Sequence, residues 1–113
     1  MPHCVIEYSQ TQPPRFDPAV LVELAHQAML GAGLFAPEAI KTRAIGYTEQ
    51  RLGLEEHDFI HLQLRILDGR SLEQRRTLAE GMVEALAAKA GARCSVTCEV
   101  IEMERASYAK RLT

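Results

Sequence analysis

Residues 57–74 read His57-Asp58-Phe59-Ile60-His61-Leu62-Gln63-Leu64-Arg65-Ile66-Leu67-Asp68-Gly69-Arg70-Ser71-Leu72-Glu73-Gln74, and a change of period inside them decides the fold. Ile60, Leu62, Leu64 and Ile66 alternate with His61, Gln63 and Arg65. That two-residue period belongs to a strand with one face in a core. Asp68-Gly69-Arg70 then makes a tight turn. Ser71 stands where a helix N-cap belongs, and Gln74, three positions on, completes a capping box. Leu78, Met82, Ala85 and Leu86 continue at spacings of three and four, the stripe of a helix packed on a sheet. Gly91 closes the helix, and Arg93 to Met103 is a further strand. The unit is β-α-β, and such crossovers are nearly always right-handed.

The preceding half has the same order. A strand at about 2–9 leads through the loop Gln10 to Phe16 into a helix with Asp17 as N-cap and Pro18 at its first position. Val20, Leu21, Leu24, Ala25 and Ala28 form its apolar stripe, and Gly31 and Gly33 end it. A strand from about Ile40 to Gln50 follows. The caps Asp17 and Ser71 set a repeat of about 54 residues, the mark of a duplicated unit. The expectation is one α+β domain over residues 1–113, with pseudo-repeats at about 2–54 and 57–103 and a short tail at 104–113. Its four-stranded mixed sheet carries two helices on one face.

Two helices cover only one side of four strands. The other side would carry His61, Gln63 and Arg65 with Ser95, Thr97, Glu99, Ile101 and Met103. That mixture is too polar for a dry core and too apolar for a plain solvated surface. A small ring of subunits around a polar interior would suit it; an ordinary two-layer sandwich with one wet face is the other reading.

Composition bounds the function. With 113 residues and a net charge of −2, the chain makes one small domain with no basic excess for nucleic acid or a membrane surface. No apolar run reaches membrane-spanning length and no signal peptide is visible, so the expected compartment is the cytoplasm. Cys4, Cys94 and Cys98 lack metal-ligand spacing and read as small buried hydrophobes. His57 and His61 share a strand face without a third ligand, so no metal site is expected.

The chain opens Met1-Pro2-His3. An initiator methionine is usually removed before a small residue such as proline. The mature chain would then start with a free secondary amine. A terminal amine titrates near ~7.7–8.0, and burial beside cations lowers that value. Such a group can take and return protons near neutral pH without a cofactor. With Met1 attached, the Pro2 nitrogen is an amide and cannot serve. His3 either lines the pocket beside this base or is a surface histidine. Arg70, just before a helix N-terminus, adds its charge to the positive helix end and can grip a carboxylate.

These residues carry a resemblance. Ile66-Leu67-Asp68-Gly69-Arg70-Ser71 followed by Glu73-Gln74 resembles the opening of the short 4-oxalocrotonate tautomerases, and Val100-Ile101-Glu102-Met103 resembles their ending. Across residues 2–103 the chain is more similar to the 5-carboxymethyl-2-hydroxymuconate isomerase family. The matching features are Pro2-His3, Ile40-Lys41-Thr42-Arg43, His57-Asp58-Phe59-Ile60-His61 and Gly69 to Arg75. The resemblance implies a duplicated β-α-β fold, a homotrimer and cofactor-independent isomerisation of an unsaturated hydroxy or oxo acid in aromatic catabolism. Pro2 would be the acid/base, with Arg43 and Arg70 acting on a di- or tricarboxylate substrate. Lys41, where the family often has arginine, and His3 would help bind it. No cofactor or metal is implied. One proline site is expected per subunit, because Phe16 replaces Arg70 in the first half and Thr97 or Glu99 replaces Arg43 in the second. A tautomerase for another enol acid, phenylpyruvate-like, or a non-catalytic trimeric binding protein of this fold are the alternatives.

Overall fold

The computed structural model describes all residues, 1–113. Its elements are β1 (His3–Ser9), α1 (Pro18–Ala32), a 3₁₀ turn (Pro37–Ala39), β2 (Lys41–Tyr47), β3 (Asp58–Leu67), α2 (Leu72–Ala90), β4 (Cys94–Met103) and a second 3₁₀ turn (Arg105–Ser107). The sheet order is β2-β1-β3-β4. Within each half the strands are parallel, and the halves meet through the antiparallel pair β1–β3. This is the expected duplicated β-α-β with a mixed sheet.

Local chemistry sets the helix ends as the sequence predicts. The Asp17 carboxylate accepts from the Ala19 N–H, and Pro18 opens α1. Ser71 and Gln74 form the reciprocal capping box at α2. At the other end of α1 the two glycines differ. Gly33, at φ 69°, takes the left-handed cap and donates to the Leu30 carbonyl, whereas Gly31 lies inside the last turn. β2 stops at Tyr47, short of Gln50, and the last bond joining it to the β1 chain runs from the Gln10 N–H to the Tyr47 carbonyl. Gly46 permits this crossing: a Cβ there would strike the Gln10 side chain and come within 3.0 Å of the Tyr8 ring.

The core lies between the helices and one sheet face. Cys4, Ile6, Ile60, Leu62, Leu64 and Ile66 project from the central strands, against Leu21, Ala25 and Met29 of α1 and Leu78, Met82 and Leu86 of α2. Truncating one such leucine to alanine costs about 2–5 kcal/mol. Its place outside the apolar stripe predicts His26 on the exposed side of α1, and the structure differs. The His26 side chain is half-buried against the sheet, with Nδ1 2.8 Å from Thr42 Oγ1.

The register fixes the opposite, open face. His3 stands between Lys41 and Arg65, and Val5 between Arg43 and Gln63. Glu7 stands between Ile45 and His61, which pairs onward with Thr97. Ile45 is 52% exposed and Tyr47 39%. No helix is long and apolar enough to cross a membrane.

Candidate active site

Pro2 is fully buried at the end of the sheet where β1 and β2 begin and β3 and β4 finish. Its carbonyl accepts from the Lys41 N–H at 3.0 Å, which locks it to the start of β2. In the unprocessed chain the amine belongs to Met1, one residue further out. That amine donates to the Ala39 carbonyl at 3.2 Å, and Lys41 Nζ donates to the same oxygen at 2.8 Å. Burial, then the bond and charge of Lys41, then the charge of Lys110 push the amine from 8.0 down to about 5. The Met1 amine is therefore held neutral at physiological pH.

The strands gather positive charge beside it. Lys41 and Arg65 flank His3 on neighbouring strands, and Arg43 lies one pleat further along β2. The molecule's ion pairs join Arg15 to Asp58, His61 to Glu99, Arg75 to Glu102 and Arg105 to Asp68, so none of these three cations is neutralised by a carboxylate. Arg43 Nη1 lies 3.2 Å from His3 Nδ1, and His3 Nε2 lies 3.1 Å from the Tyr108 hydroxyl. The His3 ring is held below its ordinary pKa, first by burial and then by Arg43, Lys41, the terminal amine and Arg65. His3 thus faces the site rather than bulk water alone.

Arg70 is placed differently. Its Nη2 donates to the Leu34 carbonyl at 2.8 Å, and its guanidinium lies 4.7 Å over the Phe35 ring. It clamps the loop after α1 while keeping other N–H groups free. The structure thus brings Pro2, His3, Lys41 and Arg43 together through the first two strands, with Arg70 tied to the loop that leads to Ala39. Two further residues belong at this end that no sequence motif marks. Strand alternation puts Arg65 on the open face and says no more; its antiparallel partner His3 puts it at the site. Tyr108 belongs to the short C-terminal tail, which folds back so that its hydroxyl meets His3.

Other features lie apart from this end. No cluster of His, Cys, Asp and Glu side chains has the makings of a metal site. A concavity of about 520 Å³ runs between the helices and is lined by residues such as Ala28, Leu34, Leu78 and Met82, with no cation among them. The three cysteines are free, and burial raises Cys4 and Cys98 to about 12, which removes them as nucleophiles.

The sequence pattern of 5-carboxymethyl-2-hydroxymuconate isomerase matches residues 2–111. The chain belongs to that family. It is accordingly an isomerase of the tautomerase superfamily. Solved structures agree in fold. A 5-carboxymethyl-2-hydroxymuconate delta-isomerase superposes with a TM-score of 0.85 at 20% identity, covering 100% of this chain and 89% of that one. A 5-carboxymethyl-2-hydroxymuconate isomerase from Deinococcus radiodurans R1 gives 0.84 at 24% identity, over 99% and 90% of the chains. A fused 4-OT described as a symmetric trimer gives 0.71 at 10% identity, over 96% and 93%. No curated protein matches the chain in sequence.

Proposed function

We propose that loss of Met1 frees the Pro2 amine as the acid/base of a cofactor-independent isomerisation, with 5-carboxymethyl-2-hydroxymuconate as substrate in aromatic-compound degradation. The proton leaves the enol oxygen for the Pro2 nitrogen. The conjugated double bonds shift along the chain, and the nitrogen returns the proton to the far carbon. Atoms and charge balance without oxidant, metal or added group. The observation that carries the reading is the buried Pro2 beside Lys41, Arg43 and Arg65, none of them neutralised by a carboxylate. Those cations match a carboxylate-bearing substrate, and a low-polarity cationic surround keeps the amine unprotonated. Arg43, one pleat beyond Lys41 along β2 and in contact with His3, stabilises the developing dienolate. Arg70 holds a carboxylate with the N–H groups that Leu34 leaves free, and Lys41 and His3 complete the binding surface.

The reading includes a homotrimer in the cytoplasm, with the open sheet faces turned inward. Its support is the mixture of polar and apolar side chains on the face that no helix covers. The deciding experiment compares two samples sorted by intact mass, one starting at Met1 and one at Pro2. Only the second should isomerise the dienol tricarboxylate. Equal turnover by both would exclude Pro2 as the base.

A further inference from the structure

The hydrogen-bond chain from Arg43 through His3 to Tyr108 has a fixed direction. An arginine can only donate. Its contact with His3 Nδ1 therefore requires a lone pair on that nitrogen. A neutral imidazole then carries its proton on Nε2, which donates to the Tyr108 oxygen 3.1 Å away. The surrounding cations and burial that hold His3 neutral act in the same sense. The hydroxyl of Tyr108, receiving a bond from His3, keeps its own O–H proton free to point away from the imidazole. Tyr108 is half-buried, its ring edge-on to His3 with centroids 6.1 Å apart, so the hydroxyl is placed rather than wandering.

We infer that Tyr108 is a substrate-binding residue whose hydroxyl donates to a substrate carboxylate, with His3 as the residue that orients it. The inference rests on the reading that a carboxylate substrate occupies the cationic end beside Pro2. Lys41, Arg43 and Arg65 supply charge; a phenol aimed by a neighbouring imidazole supplies a further directed donor without adding charge. A hydroxyl donating to a carboxylate is among the short, strong hydrogen bonds. The tail from Arg105 onward thereby becomes part of the site rather than a loose end.

The test uses the processed full-length protein and a probe that cannot turn over. trans,trans-Muconate is a planar conjugated dicarboxylate with no enol hydroxyl, and its affinity is read by calorimetry. Tyr108→Phe removes only the hydroxyl and should weaken binding about ten- to a hundredfold, as expected for losing a hydrogen bond to a charged group. His3→Leu should weaken it similarly, whereas His3→Gln, which can accept from Arg43 and donate onward, should restore most of the loss. Unchanged affinity in Tyr108→Phe, with measurable binding in the wild type, overturns the inference and leaves the proline chemistry standing. A wild type that binds no muconate at all removes the carboxylate-substrate reading and the inference with it. Loss of turnover in Pro2→Ala with intact muconate binding leaves both in place.

Discussion

Arg15 and Arg70 hold near-matching places in the two halves of the fold. Arg15 Nη2 donates to the Ala90 carbonyl at the end of α2 at 2.9 Å, and Arg70 Nη2 donates to the Leu34 carbonyl just past α1 at 2.8 Å. Each guanidinium lies over a phenylalanine, Phe16 at 5.3 Å and Phe35 at 4.7 Å. Arg15 satisfies a carbonyl left open at the end of α2 and Arg70 one in the loop just past α1, and both put positive charge near the negative end of a helix dipole. Phe16 replaces Arg70 in a strict repeat, yet Arg15 beside it does the corresponding work. The two have diverged in how fully they are engaged. Arg15 also pairs with Asp58 at 3.0 Å and donates to the Ala92 and Arg93 carbonyls, whereas Arg70 makes a single hydrogen bond.

The arginines should separate accordingly. Arg15→Ala is expected to lower stability by about 1–3 kcal/mol, several degrees in Tm, with kinetics unchanged. Arg70→Ala should lower Tm less and mainly raise KM, as loss of a group that binds ground and transition states alike. Arg43→Ala should instead lower kcat by roughly 10²-fold, the loss typical of one donor to a developing oxyanion. Thermal melts and steady-state kinetics on the three variants check the division. Wild-type kinetics in both Arg43→Ala and Arg70→Ala would end it.

Replacing the base tests a different group. Pro2→Ala keeps a terminal amine but makes it primary, with altered basicity and looser placement. Turnover should fall by roughly 10²–10⁴-fold, the usual worth of a positioned proton-transfer group, with the melting temperature little changed. The acid limb of the wild-type rate profile should lie well below pH 8, because the base works only when unprotonated. Parent-level activity in Pro2→Ala would refute the proton route.

Stability should also respond to pH with a definite sign. In the unprocessed chain the Met1 amine titrates at about 5 rather than 8.0, and His3 is likewise held below 6.5. The unfolded chain therefore binds protons before the folded one does. These groups favour unfolding progressively as pH falls, from 8.0 toward 5 for the amine and from 6.5 downward for His3. Lys41→Met removes the leading charged cause of the amine's shift, so its Tm should drop less than the parent's between pH 8 and 5. Parallel curves for the two proteins would show that Lys41 does not set the amine's state.

The duplicated β-α-β is legible in the amino-acid sequence because its signals are local. Strand alternation at Ile60–Ile66 and the caps at Asp17 and Ser71 depend on neighbours within a few residues. Pro2, Arg43 and Arg70 stand in short motifs that can be read in the same way. Arg65 and Tyr108 carry no such mark, because their meaning lies in pairing between distant segments. Arg65 matters through the β1–β3 register that sets it opposite His3, and Tyr108 through a contact spanning nearly the whole chain. His26 misleads for a related cause: its helical position alone does not reveal Thr42 on the strand beneath it.

Assembly gives the last prediction. The open face carries Ile45 and Tyr47 on the edge strand β2, both substantially exposed, and Ile101 and Met103 on the other edge strand, β4. Between them run Glu7, bonded to Tyr47 at 2.5 Å, and His61, bonded to Thr97 and Glu99 at 2.6 and 2.7 Å. Polar groups already satisfied within the subunit can be buried at modest cost, and the apolar residues at the edges gain from leaving water. Both edges can pair or pack with another copy, and closed rotational symmetry would use all of them. Light scattering at micromolar concentration should give the mass of three subunits. Ile45→Asp places a charge in that contact and should shift the protein toward monomer, with a Tm that rises with concentration as mass action requires. A wild-type protein that scatters as a monomer at micromolar concentration, with a Tm independent of dilution, would rule out the trimer and leave the open face a solvated surface.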